Sequence, residues 1–335
     1  MASLSEPTLV PGFRHRPGNH CGSTALRNLL AFDGIEISEE MALGLGAGAC
    51  FYYFTIEGGS PSRWFNGRVA RLEENFREIT GAALEMRTFE EPQAAWEAAK
   101  AEVDRGRPAL LLTDIYHLDH YGSSARFPGH AVVLAGYDSE DALLADTAFE
   151  ELQRTGLENL ATARHGEHPA YALEGHLFTV AGDLDRETLL EAVPAAIEHA
   201  AREMLEPSWG EFAGLPAVNR LAAEAGHWPE VAEDWQWCAR FGYQVIEKRG
   251  TGGGNFRLMY SRFLAEAGYE QAPLAAAAAD RWTELAGAFF EASGSEQPQQ
   301  GLWDRVGSAA AACAEAEERL WSALAERAQT PKRAK

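Results

Sequence analysis

Cysteine is scarce in this chain: Cys21, Cys50, Cys238 and Cys313 among 335 residues. They are too scattered for a CxxC pair, which excludes a zinc knuckle or a thioredoxin-type redox site, and too few for a disulfide scaffold. Basic charge is also short. With 29 Lys and Arg against 50 Asp and Glu the net charge is -21. So acidic a chain is not expected to bind nucleic acid or an anionic membrane surface. No apolar run approaches the length of a membrane span, and the opening MASLSEPTLVPGFRHR has no apolar core of a secretory signal. The expectation is a reduced, soluble, cytoplasmic protein, with homo-oligomers left open.

What is present divides in two. The first half mixes helix and strand signals. Residues 21–32 read as a helix with Ala25, Leu26, Leu29 and Leu30 on one face, and ISEEMALGL starts another with Ser38 as N-cap. SRWFNGRVARLEENFREITG (62–81) reads as one long amphipathic helix stopped by Gly81, and EEPQAAWEAAKAEVDRG as a further helix. Strand signals lie at 84–89, 108–116, 130–138, 142–149 and 176–182. After Gly182 the pattern is nearly all helical, recurring at about 212–225, 230–248, 255–268, 273–292 and 304–327. The expected domains are therefore 1–182, α+β with an antiparallel sheet, and 183–330, all-α, with TPKRAK as a frayed tail.

One cysteine stands out by its setting. In RHRPGNHCGSTALRNLL, Cys21 follows turn residues and opens a helix, where the peptide dipole favours a thiolate and free amides face an oxyanion. A base is available in FPGHAVVLAGYD, where His130 begins a strand. An orienting acceptor is available in ALLADTAF, where Asp146 ends the next strand. If YDSEDA turns a hairpin, antiparallel pairing brings His130 and Asp146 together. Singly, each residue has a bland reading: a structural thiol, a polar strand start, a turn aspartate. Jointly, a nucleophile on an early helix and a base and orienter on later strands make the papain-like arrangement.

Long motifs extend this reading. GNHCGSTALRNLL, DGIEISEEMALGLGAGACFYYF and GHAVVLAGYD resemble the N-terminal domain of the butirosin-biosynthesis acyltransferase family, itself distantly similar to the cysteine peptidases that trim bacteriocin leaders. KRGTGGGNFRLMYSRFLAEAG (248–268) resembles the signature of the helical domain fused to it. The resemblance implies transfer of an acyl group from a carrier-protein thioester to an amine through an acyl-cysteine, with Cys21, His130 and Asp146 at the matching positions and no cofactor. Papain-like enzymes usually place a glutamine six residues before the cysteine to bind the oxyanion. Here that position is His15, so His15, Asn19 and His20 are the candidates for that role.

Other stretches are weighed against packing. GTGGGNFR lacks the Gly-Lys-Ser/Thr of a phosphate loop, but Gly252, Gly253, Gly254, Asn255 and Arg257 are candidate substrate contacts in a helical cap over the cleft. GLGAGA (44–49) follows a helix, not a strand, so it is no dinucleotide fingerprint; its glycines would line the wall beside Cys21. TDIYHLDHYG reads as a rim loop with Asp114 and Tyr116 framing the pocket, and no metal is expected there. A cysteine acyltransferase is the first reading. A thioesterase, cyclase or peptidase-like hydrolase with the same triad is the second, and a binding protein without catalysis the third.

Overall fold

The computed structural model describes residues 6–81, 84–166, 171–180, 182 and 184–329. In chain order the strands are β1 (Thr8–Leu9), β2 (Ala49–Thr55), β3 (Arg63–Arg68), β4 (Leu84–Arg87), β5 (Ala109–Asp114), β6 (Pro128–Tyr137), β7 (Asp141–Ala145), β8 (Gln153–Gly156), β9 (His165–Gly166), β10 (Leu173–Glu174) and β11 (Leu177–Val180). The first helices are α1 (Cys21–Phe32), α2 (Glu39–Leu45), α3 (Leu72–Ile79), α4 (Pro92–Asp104), α5 (Leu157–Ala163) and α6 (Arg186–Leu190). The later ones are α7 (Val193–Leu205), α8 (Gly214–Glu224), α9 (Trp228–Val231), α10 (Trp235–Glu247), α11 (Arg257–Glu266), α12 (Ala272–Ser293) and α13 (Gln300–Gln329). The tail TPKRAK lies outside the described residues.

Two compact units result, each discontinuous in sequence: residues 1–42 with 70–192, and residues 43–69 with 193–335. The sequence suggests one boundary near residue 183; the structure instead gives segment 43–69 to the helical unit.

The first unit is α+β. Its antiparallel sheet runs β4-β11-β5-β6-β7-β8, with β1 paired to β6. All six residues of β5 and seven consecutive residues of β6 are buried regardless of alternation, so the middle of the sheet is covered on both faces. Helices α1, α4 and α5 pack against these strands. Val132, Leu134, Leu111, Leu144 and Leu177 meet Ala99, Val103 and Leu160 in the core, each large aliphatic side chain contributing about 1.5–3 kcal/mol on burial. Helix α1 spans the residues expected of it, and Ser38 Oγ caps α2 by accepting the Met41 N–H at 2.8 Å.

Among the described residues the second unit is helical apart from one hairpin. Strands β2 and β3 pair antiparallel, Phe54 opposite Trp64 and Tyr53 opposite Phe65. The sequence reading of 62–81 as a single helix is corrected here: only Leu72–Ile79 is helical. In Arg63–Arg68 burial alternates residue by residue, a period of two that the charged and glycine positions obscure in the sequence. Phe51 and Phe65 pack on Trp282 of α12, with ring centroids 5.2 and 6.3 Å away.

The signature loop before α11 belongs to this core. Gly252 to Phe256 all take positive φ, and a Cβ at Gly254 would sit 2.6 Å from the Ala279 side chain. Arg257 and Glu317 are fully buried and paired at 2.7 Å. Glu317 also accepts the indole N–H groups of Trp282 and Trp321, both at 2.5 Å, while Arg257 donates to the Gly67 carbonyl of the hairpin at 2.7 Å. Removing one member strands a buried guanidinium and two indole donors. We expect Glu317→Ala to destabilise this unit by about 3–5 kcal/mol in urea unfolding; wild-type stability would contradict the assignment.

Candidate active site

Cys21 is the first residue of α1, and His20 is the reason the helix starts there. Extended at φ -107°, His20 turns its ring back so that Nδ1 accepts the Ser23 N–H at 3.3 Å. The preceding segment is pinned from below by Glu39, at the start of α2. Its buried carboxylate accepts the backbone N–H groups of Asn19 (2.9 Å) and His20 (2.7 Å) and the hydroxyls of Ser23 (3.3 Å) and Thr24 (3.1 Å). Gly22 has no room for a side chain, since a Cβ there would lie 2.3 Å from Glu73 Oε1. The Cys21 thiol is half-buried, and the amides of the first helical turn have no i-4 carbonyl to bond.

The base and its orienter come from the β6–β7 hairpin. Val133 pairs with Ala145, so the chain leaves β7 at Asp146 alongside the start of β6, where His130 stands. His130 Nε2 donates to Asp146 Oδ2 at 2.9 Å, across 16 residues of sequence. That leaves His130 Nδ1 for Cys21, with which the ring is hydrogen-bonded.

Asp146 is fully buried, and two residues that sequence reasoning missed complete its shell. His120 Nε2 donates to the same Oδ2 at 3.0 Å, and the Tyr121 hydroxyl donates to Oδ1 at 3.1 Å. Their sequence signal was faint: a histidine and a tyrosine in a polar loop, with nothing to mark that the loop folds onto Asp146.

These contacts set the charges. Burial alone would raise the Asp146 carboxyl, but the His130 charge and the bonds from His120 and His130 hold it far below the usual carboxylate range. Burial likewise opposes a charged His130; Asp146 and then Cys21 overcome it and push His130 up to about 10. Burial would raise the Cys21 thiol, yet the imidazoles of His20 and His130 bring it well below the ordinary value. Together these contacts favour a thiolate, an imidazolium and a carboxylate. The other cysteines are buried and go the opposite way: Cys50 up to about 11, Cys238 raised, Cys313 raised well above the normal thiol.

The remaining candidates are placed elsewhere. His15 has both ring nitrogens committed, Nε2 to the carbonyls of Phe149 (2.8 Å) and Asp146 (3.2 Å) and Nδ1 to the Asn28 amide (3.1 Å), so it is corrected from oxyanion donor to loop anchor. The Asn19 amide is drawn to Glu39 at 3.3 Å. Asp114 is buried beneath its own loop, where it accepts the N–H groups of Tyr116 (3.1 Å) and Phe127 (2.9 Å) and pairs with Arg126 at 2.5 Å; it holds the loop and does not face a substrate. Tyr116 is exposed, with the Arg126 guanidinium over its ring. Asn255 and Arg257 are fully buried in the helical unit and offer no face to a substrate; Gly254 is buried with them, while Gly252 and Gly253 are half-buried. In GLGAGA, Gly44 packs on the Phe263 ring and Gly48 on Leu43, all within the helical unit. Asp114, Asp119 and His120 each bond different partners, and among the described residues no cluster of three or more His, Cys, Asp or Glu could hold a metal.

Known proteins give the arrangement a context. Residues 158–324 match a domain of unknown function, DUF4872. No curated protein sequence matches the chain. Among solved structures, a protein described as a C39-like peptidase from Bacillus anthracis is similar at 17% identity and a TM-score of 0.34, over 53% of this chain and 98% of that one. Residues 20–147, which hold Cys21, His130 and Asp146, match the family described as butirosin biosynthesis protein H, N-terminal. Over this segment the chain is similar to the N-terminal domain of the butirosin biosynthesis protein H family.

Proposed function

We propose that the protein is a cysteine-dependent acyltransferase of natural-product biosynthesis, moving an acyl group from a thioester to an amine through an S-acyl Cys21. The observation that carries this reading is the Cys21–His130–Asp146 constellation, in which His130 bonds Asp146 and favours ionisation of the Cys21 thiol. The biosynthetic setting is drawn from the family that residues 20–147 match. A carrier-protein-bound donor is part of the proposal.

The chemistry follows from the charges. The Cys21 thiolate attacks the thioester carbonyl, and the donor thiol leaves with the proton that His130 carried. His130 is then neutral. It takes a proton from the incoming amine as the amine attacks the acyl-cysteine, and Cys21 leaves as thiolate, which restores the starting ion pair. Asp146 accepts from Nε2 throughout and keeps Nδ1 aimed at sulfur. With water in place of the amine the same steps make a hydrolase, which is the second reading.

The thiol environments make the nucleophile selective. Iodoacetamide at neutral pH is expected to modify Cys21 and to spare Cys50, Cys238 and Cys313 in the folded protein; peptide mapping that found one of those three reacting first would contradict the assignment. For the reaction itself, the protein is incubated with acyl N-acetylcysteamine thioesters and followed by intact-mass spectrometry. The expected result is a single acyl adduct on Cys21, whose decay is hastened by added amines with the acyl-amine as product. Cys21→Ser should lower turnover by about a thousandfold or more. An adduct that decays only to free acid, whatever the amine, would favour the hydrolase, and turnover by Cys21→Ser would remove the nucleophile.

A further inference from the structure

An acyl transfer at Cys21 needs more than a nucleophile and a base. As sulfur attacks, the charge leaves it for the carbonyl oxygen, and a donor must already face that oxygen. The helix start supplies one, the Cys21 N–H. The side chains proposed from sequence for the second are mostly spent: His15 on the Phe149 and Asp146 carbonyls and Asn28, Asn19 on Glu39.

His20 is different. Its Nδ1 accepts the Ser23 N–H, so the ring proton sits on Nε2. Nδ1 being used, the other ring nitrogen is Nε2, which is buried, and the ring lies close enough to Cys21 to favour its ionised form. The backbone beneath is fixed, because the His20 N–H is held by Glu39 at 2.7 Å and the His20 carbonyl accepts the Thr24 N–H at 2.9 Å. The ring is closed in beside Gly22, where a Cβ would lie 3.2 Å from His20 Cε1.

We propose that His20 Nε2–H is the side-chain donor of the oxyanion hole, acting with the Cys21 amide and taking the place of the glutamine that papain-like enzymes carry six residues earlier. The role rests on acyl chemistry at Cys21, as proposed above. In the free protein the donor faces the sulfur. When the S–C bond forms, the carbonyl π pair moves to oxygen and the same N–H follows the charge from sulfur to oxygen. As the donor thiol departs with the His130 proton, the C=O bond re-forms and the oxyanion is discharged. Nothing is consumed, and His20 neither gains nor loses its proton.

Two reagents separate this role from simple activation of the thiol. p-Nitrophenyl acetate acylates through a tetrahedral oxyanion; iodoacetamide alkylates sulfur by displacement and makes none. His20→Asn keeps a good N-cap acceptor for the Ser23 N–H but is too short to reach the carbonyl oxygen. Both rates are measured across pH and compared on the alkaline plateau, where the thiol is fully ionised in either protein. The expected result is acylation slower by about 100-fold with alkylation changed by less than about threefold. The alkylation rate also reports that the site is folded. Equal losses in both reactions, or no loss in acylation, would overturn the proposal. If wild-type Cys21 gave no nitrophenol burst at all, the acyl-enzyme reading beneath it would fail instead, and the two failures are distinct.

Discussion

Everything at the site depends on keeping one buried carboxylate ionised. Asp146 has no exposed surface, and a bare charge there would cost several kcal/mol. Three donors offset that cost: His130 and His120 on Oδ2, and Tyr121 on Oδ1. The charge they hold in place raises the His130 imidazole, and His130 in turn stabilises the Cys21 thiolate. The order of dependence runs from the deepest residue outward to the one that reacts.

The same turn that carries Asp146 also holds the nucleophile's loop. His15 bonds the carbonyls of Asp146 and Phe149, and the Gly18 N–H bonds that of Thr147 at 3.2 Å. The segment leading to Cys21 is thus stitched to the segment that follows β7. Glu39 then fixes the last two amides before the helix. Nucleophile, base and orienter belong to different elements, yet they share one set of short contacts. Geometry at this precision is what lets a modest group of side chains contribute to rate.

Much of this was legible in the sequence, for identifiable reasons. Helix α1 announced itself through turn residues, an early cap and an apolar face. The β6–β7 hairpin did so through two apolar runs about a polar turn, and the hairpin is what places His130 next to Asp146. The β2–β3 hairpin was not legible, because in Arg63–Arg68 the inward positions are Arg63, Phe65 and Gly67, which do not read as an apolar stripe. Polarity also misled at Arg257: a charged residue in a glycine-rich loop suggests a ligand, but its partner Glu317 lies 60 residues on and cannot be inferred from spacing. His120 and Glu39 escaped for the same reason. Each works through a long-range hydrogen bond that has no local pattern.

The central claim is that Asp146, acting through His130, lowers the Cys21 thiol beyond what His20 does. The most direct test is the pH dependence of Cys21 alkylation in the wild type and in Asp146→Asn. The wild-type rate should hold nearly constant through the neutral range and fall only at acid pH, with its midpoint well under the ordinary thiol value of about 8.5. In Asp146→Asn the midpoint should move up by about one unit or more. A wild-type thiol titrating near its ordinary value, or a midpoint that does not move in the variant, would contradict the claim.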